Sequence, residues 1–387
     1  MTHDITFYSW PVSLYSGKAR SYLIKQGADF QDVSPIHESY EKVIRPAIGR
    51  WIIPVMQTAD GEIVQDGVDI IDWYEQNRPL RYPAYPATPR HLLVSHIMEI
   101  FGGEGLLRPA MHYRWNFDET NLDFVIHQFG SSALPYGSAQ ERHALAEHAA
   151  GRMRNACTAF GVNEQTIPQV EASFIETLQE LQAHFSQHPY LLGGVPSLGD
   201  YGLVASLFAH LGRDPYPSAL MKSIAPSVYR WTERMNKPNA DFSELVGYEE
   251  ALIADDAIPD SLLTLLKRVA ADYLPEIKAM IAFTNDWLAD NEPAQGDNVG
   301  GISLGRGIGM CSFNWRGVTV KAVVMPYRIF MLQRIQDAYD GLADEARASV
   351  DALLAATGLS DIITTRCTRR VERANHLEKW AGDNPAD

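Results

Sequence analysis

Apolar and polar positions alternate in short blocks over the first eighty residues, and each block predicts one element. "DITFY" (4–8) is a short apolar run closed by Trp10 and Pro11, which predicts a strand. Tyr15, Ala19, Tyr22 and Leu23 then recur at helical spacing, with Gly27 as the stop signal. "ADFQDVS" (28–34) predicts a second strand, and "ESYEKVIRPAIG" (38–49) a short helix broken near Pro46. "WIIPVMQTADGEIVQ" (51–65) reads as a hairpin turning at Asp60-Gly61, and "GVDIIDWYEQN" (67–77) as a helix with Ile70, Ile71 and Tyr74 on one face. The order β-α-β-α-β-β-α predicts a small α/β sandwich.

The rhythm changes at "RPLRYPAYPATP" (78–89), whose four prolines predict a stiff linker. Beyond it the pattern is mostly helical. In 198–211, Val204, Leu207, Phe208 and Leu211 fall at i, i+3, i+4 and i+7, with Ser197 placed to cap and Asp200 three residues on. A third block starts near Tyr248, with helical periodicity in 260–274, 277–290 and 345–358. Between these lies a stretch (296–327) that is glycine-rich and then strand-like; its "CSFNWRGVTV" predicts a strand pair packed on the helical domain. Arg369, Arg370 and Arg373 predict a solvated basic helix surface near the end. The boundaries implied are 1–80, 90–245 and 248–387.

Composition narrows the classes. A chain of 387 residues exceeds what one core usually holds, and 46% hydrophobic with 21% charged residues is ordinary for a globular protein. A net charge of −15 argues against nucleic acid or an anionic membrane as partner. No apolar run reaches the length of a membrane span, and the start lacks a signal-peptide pattern. The three cysteines (Cys157, Cys311, Cys367) form no CxxC pair, as expected of thiols in a reducing, cytoplasmic setting. His184 and His188 are four apart but lack a third ligand or an HExxH pattern, so no metal is expected.

Three stretches taken in order resemble the glutathione S-transferase superfamily. "SLYSGKAR" (13–20) is similar to the family's S-P-Y-S-x-K-V-R turn and helix start, with Leu14 in place of proline. "IIPVMQTADGEIVQDGVDIIDWYE" (52–75) resembles its V-P…dG…E-S-x-x-I segment, and "PSLGDYGLVASLFAHLGRDPYP" (196–217) its later capping-box helix. The resemblance covers roughly 4–78 and 188–238. It implies a thioredoxin-like domain followed by an all-α domain, with 248–387 a mostly helical addition carrying a possible short hairpin. It also implies glutathione as co-substrate, a small electrophile as second substrate, and a homodimer.

In that resemblance Ser13 is the hydroxyl that hydrogen-bonds the glutathione thiolate at a helix start, where the helix dipole favours negative charge. Read from the residues alone, Ser13 is equally a helix cap. Tyr8, at the end of the first strand, and Ser16, three residues on, are the alternatives. Serines at both cysteine positions of the redox-type C-P-Y-C pattern argue against a mixed-disulfide mechanism. Pro54 resembles the family's cis-proline, with Ile53 supplying backbone hydrogen bonds to glutathione. Asp66 and Gly67 stand where the family has a Glu-Ser pair for the glutamyl end; Gly67 lacks the hydroxyl, a loss of about 1.5–3 kcal/mol. Either residue pair also reads as ordinary loop and cap. "MHYRWNF" (111–117) offers His112, Tyr113, Arg114 and Trp115 for the pocket of the second substrate, or simply as core and surface. The function expected is attack of the glutathione thiolate on an apolar or aromatic electrophile. The alternative is a non-catalytic protein that keeps the fold for binding.

Overall fold

The structure, a computed structural model, describes residues 3–301 and 305–383; residues 302–304 of the glycine-rich stretch lie outside the described residues. The first domain runs β1 (Ile5–Tyr8), α1 (Leu14–Gln26), β2 (Phe30–Val33), a π turn (Tyr40–Ile44) leading into α2 (Arg45–Ile48), β3 (Val55–Thr58), β4 (Ile63–Gln65) and α3 (Gly67–Asn77). Its sheet has the order β2-β1-β3-β4, with β1 parallel to β2 and antiparallel to β3. Ser13 Oγ accepts the Ser16 N–H at 3.3 Å to start α1, and Gly27 at φ 68° ends it in the left-handed region. The peptide Ile53–Pro54, which leads into β3, is cis. The break expected near Pro46 does not occur. Arg45 N–H reaches back five residues to Tyr40 O, and the backbone stays helical from this π turn through Pro46 into α2.

The helical domain comprises α4 (Pro89–Ile100) with a π turn (Phe101–Gly105) after it, α5 (Leu107–Trp115), α6 (Asp118–Ala133), α7 (Ala139–Ala159), α8 (Ile167–Phe185), α9 (Leu198–Ala209), α10 (Pro215–Ile224) and α11 (Pro226–Met235). α9 is its axis. Ser197 and Asp200 form the expected reciprocal cap, and Asp200 also accepts from Leu191 N–H at 3.1 Å and Trp231 Nε1–H at 3.1 Å. α9 lies backbone to backbone on α4, because a Cβ on Gly202 would sit 2.3 Å from Glu99 Cα. A thioredoxin-like domain followed by this all-α domain is the glutathione-transferase fold that the sequence resembles.

The third block supplies α12 (Asp260–Asp272), α13 (Leu274–Asn291), the hairpin β5 (Gly309–Trp315) and β6 (Val318–Val324), α14 (Pro326–Asp340), α15 (Asp344–Thr357), α16 (Asp361–Thr364), and the hairpin β7 (Arg369–Ala374) and β8 (Leu377–Asp383). The β5–β6 pair packs on α13 and α7, while α14 and α15 pack on α4. The basic tail is a strand, not a helix. Val371 and Trp380 pair across it as its buried face, and Asn375 and His376, both at positive φ, make the turn. Arg373, expected in solvent, is half-buried against Asp69 at 3.2 Å and Glu378 at 2.7 Å.

The core is continuous through all three blocks, from Ile5 to Trp380. A buried ionic chain crosses it. Tyr15 Oη donates to Glu104 (3.0 Å), Glu104 pairs with Arg328 (3.0 Å), Arg328 with Glu276 (2.5 Å), and Glu276 with Arg108 (2.7 Å). Two guanidinium and two carboxylate groups balance to zero, the condition under which buried charges are tolerated. Burial alone would raise the Glu276 carboxyl, and Arg108 and Arg328 together hold it below its usual range.

Candidate functional site

Where the three blocks meet they enclose a cleft of about 430 Å³. The first domain gives it the turn Val12–Tyr15 together with Trp10, Trp51 and Ile53. The helical domain gives Met111, Trp115, Phe129 and Phe160, and the third block Arg306, Val323 and Met325. The volume suits a small organic ligand, and most of the wall is apolar. Trp10 and Trp51 stand in contact, ring centroids 5.3 Å apart, and Trp10 Nε1–H donates to Ser34 Oγ at 3.1 Å.

Of the three hydroxyls considered for thiol activation, Ser13 is the one in the cleft wall. It is half-buried at the N-terminus of α1, and among the described residues its Oγ holds only the long 3.3 Å bond from Ser16 N–H. Tyr8 is placed elsewhere. Its side chain turns into the packing of Tyr40, Ile44 and Val55, and its Oη lies 2.9 Å from Ser39 Oγ. Ser16 is fully buried inside the first turn, and its hydroxyl has no partner among the described residues. Strand alternation and helix periodicity account for both: Tyr8 follows Phe7 onto the opposite sheet face, and Ser16 faces the body of the protein.

Ile53, half-buried, lines the same cleft as Ser13, just before cis-Pro54. Asp66, at φ 95°, caps α3 through Oδ1, which accepts the Val68 N–H at 2.9 Å. The same oxygen accepts from Tyr327 Oη–H at 3.0 Å, a contact from the third block. Oδ2 carries no hydrogen bond among the described residues, so the carboxylate keeps an acceptor for an ammonium group. A Cβ on Gly67 would lie 3.4 Å from Tyr15 O and 3.5 Å from Lys18 Cδ, ordinary contacts, so nothing steric demands glycine there. Asp66 and Gly67 are both buried, and neither is among the residues that line the cleft with Ser13 and Ile53.

The segment 111–117 is divided by the helix. Met111, Arg114 and Trp115 share the cleft face of α5 at i, i+3 and i+4. His112 and Tyr113 point away and do not form the pocket expected of them: His112 Nε2 meets Glu171 at 2.9 Å, and Tyr113 stacks on Phe117 at 5.2 Å. Burial lowers the His112 pKa and outweighs the Glu171 carboxylate, which raises it. Arg114 presents only its stem to a ligand. Its guanidinium pairs with Asp214 (2.6 and 2.9 Å) and donates to Val12 O (3.0 Å) and Ala209 O (2.8 Å). It thereby fixes the turn just before Ser13 to the end of α9.

Two cleft residues gave no signal in the sequence. His210, buried beside Ala110 O at 3.2 Å, is held well below its ordinary pKa by burial and then by Arg114, and so is neutral. Arg306 belongs to a stretch read as a glycine-rich connection. The cysteines are elsewhere, and burial raises the thiols of Cys157, Cys311 and Cys367 to about 11 each. Among the described residues no group of three or more His, Cys, Asp and Glu is arranged to hold a metal, and no helix is long and apolar enough to cross a membrane.

No protein-family model and no curated protein matches the chain. Among solved structures it is similar to a glutathione S-transferase from Rhodospirillum rubrum F11, with 15% identity, 67% of this chain and 97% of that chain covered, and a TM-score of 0.38. It is similar also to a beta-etherase from Sphingobium sp. strain SYK-6, with 17% identity, coverage of 62% and 98%, and a TM-score of 0.41. A third is the glutathione transferase GSTFuA3 from Phanerochaete chrysosporium, with 15% identity, coverage of 61% and 97%, and a TM-score of 0.41. Each overlap takes in nearly all of the other chain and leaves about a third of this one outside it.

Proposed function

We propose that the cleft is the active site of a glutathione-dependent transferase. The observation that carries this reading is the position of Ser13. It lies at the N-terminus of α1 in the wall of an apolar cleft that Ile53, just before cis-Pro54, also lines. Glutathione would be held by Ile53 along its cysteine, and by Asp66 Oδ2 and the Gly67 N–H at its glutamyl end. Its thiol supplies the nucleophile.

The residues of this chain do three things. Ser13 donates its O–H to the sulfur and, with the α1 dipole, lowers the cost of losing the thiol proton to water. Arg114 holds Val12 so that this donor stays aimed. The apolar wall around Trp115 and Phe129 excludes water and fixes the electrophilic carbon near the sulfur; a new S–C bond forms there as the leaving group departs with its electron pair. Homodimerisation belongs to the same proposal, and a one-chain mass by light scattering would remove it.

The test is a titration of bound glutathione by its ultraviolet thiolate absorbance against pH. The wild type is expected to ionise the thiol well below its free value of about 8.5, and Ser13→Ala to lose that shift while still binding. Unchanged ionisation in Ser13→Ala, or no glutathione binding at all, would sink the reading. A second reading has one contact in its favour. Tyr327 already donates to Asp66 and so takes part of the seat proposed for the glutamyl end, which favours a chain that keeps the fold without using glutathione. Tyr327→Phe separates the two: it changes glutathione affinity if the seat is used and changes nothing if it is not.

A further inference from the structure

The arginines around the cleft are committed to carboxylates, with one exception. Arg114 is bound to Asp214, Arg108 to Glu276, and Arg328 to Glu104 and Glu276. Arg306 lines the cleft and is exposed to it, and among the described residues no hydrogen bond or ion pair takes its donors. Its guanidinium lies 5.5 Å from the centre of the Tyr15 ring and 5.8 Å from that of Tyr327. Such ring contacts hold the charge in place and leave the guanidinium edge, with its paired N–H groups, unbonded.

The surrounding carboxylates do not quench it. Asp66, Glu104 and Glu378 are near enough to act on Arg306, but each is engaged elsewhere. Asp66 accepts from Val68 and Tyr327, Glu104 from Tyr15 and Arg328, and Glu378 pairs with Arg50 and Arg373. A dianion would be repelled by this company. A single planar carboxylate matches one guanidinium edge, and the rest of the cleft, towards Met111, Trp115 and Phe129, accepts only an apolar body.

We propose that Arg306 is the carboxylate receptor of the cleft, and that the ligand it selects is an apolar carboxylic acid whose aromatic or aliphatic body fills the floor beside Trp115 and Phe129. This names the second substrate of the transferase reading and rests on that reading only in using the same cleft. The group comes from the third block, so that block sets the specificity.

The test uses the full chain without any thiol, so its result is independent of glutathione ionisation. Calorimetric titration compares 4-phenylbutanoate with 4-phenylbutanamide, which has the same body and no charge. The wild type is expected to bind the acid roughly 10- to 100-fold more tightly, the range of a charge-assisted hydrogen-bonded pair. Arg306→Gln is expected to bring the acid down to the amide, and Arg306→Lys to keep part of the preference, which also shows that the site survives substitution. Equal treatment of acid and amide by the wild type, binding of neither, or an acid preference that persists in Arg306→Gln overturns the proposal. So does an Arg306→Gln variant that loses glutathione instead while its preference for the acid stays, since the residue would then serve the thiol.

Discussion

Replacing Arg328 with methionine tests whether the third block is built into the fold or merely laid against it. Arg328 is buried and bridges Glu104 at 3.0 Å and Glu276 at 2.5 Å. Without it, Glu276 keeps Arg108 at 2.7 Å, but Glu104 keeps only the Tyr15 hydroxyl at 3.0 Å. Stranding one buried carboxylate costs about 3–5 kcal/mol. Weakening the second adds about 1.5–3 kcal/mol. A sum of roughly 5–8 kcal/mol is comparable to the whole stability of many domains. Urea unfolding followed by tryptophan fluorescence at pH 7 is expected to show this loss in a single transition, because the core is shared by all three blocks. The double variant Arg328→Met/Glu104→Gln restores electroneutrality and is expected to recover half of the loss or more. A loss under about 1 kcal/mol in the single variant, or a double variant no better than it, would refute the reasoning.

Three further outcomes are expected. Burial, and then His188, lowers His184 to about 3, and its ring nitrogens meet Ser261 Oγ at 2.8 Å and Tyr190 O at 3.3 Å. The unfolded chain takes up this proton near pH 6.5 and the folded one does not, so stability falls on acidification from about 6.5 towards 3, by about 1.4 kcal/mol per pH unit from this group. His184→Gln should remove that fall between pH 6 and 4 and leave Asp200, which burial raises to about 6, to act unopposed, so stability falls less on acidification or rises; an unchanged slope counts against the assignment. Gly202→Ala forces a methyl into the Glu99 backbone and should cost more than about 3 kcal/mol in urea unfolding, with a wild-type midpoint as the contrary result. Gly67→Ser restores a hydroxyl at an uncrowded position and should tighten glutathione roughly tenfold in calorimetry, whereas no change would place the glutamyl end elsewhere.

What could be read from the sequence follows local signals. The first domain was legible because each strand and helix there carries its own period and its own stop, down to Gly27 and the Asp60-Gly61 turn. Ser197 and Asp200 were legible for the same reason. The final hairpin was not, since Arg373 and Glu378 look like solvent residues until they are seen to pair with each other across the turn. Its turn is Asn375-His376 rather than the usual Asn-Gly, so the strongest hairpin cue is absent. In the site, Ser13 was visible as a cap before an amphipathic run. Tyr8, as an alternative to Ser13, and His112, as a pocket residue, stayed open because composition does not say which face a side chain takes. Arg306 is separated from Tyr15 by nearly three hundred positions, and only the closed fold brings that cation to the cleft.

The β7–β8 hairpin, made long after the first domain, rests on it: Arg373 reaches Gln65 O at 3.1 Å, and Glu378 meets Arg50 at 3.3 Å. At about 5–20 residues per second, a ribosome needs roughly 15–60 s to go from the end of α3 to this hairpin. For that interval Gln65, Asp69 and Arg50 stand without the partners that later cover them. A nascent chain stalled before Arg369 should therefore bind chaperones through this face of the first domain, and one that has passed the hairpin should not.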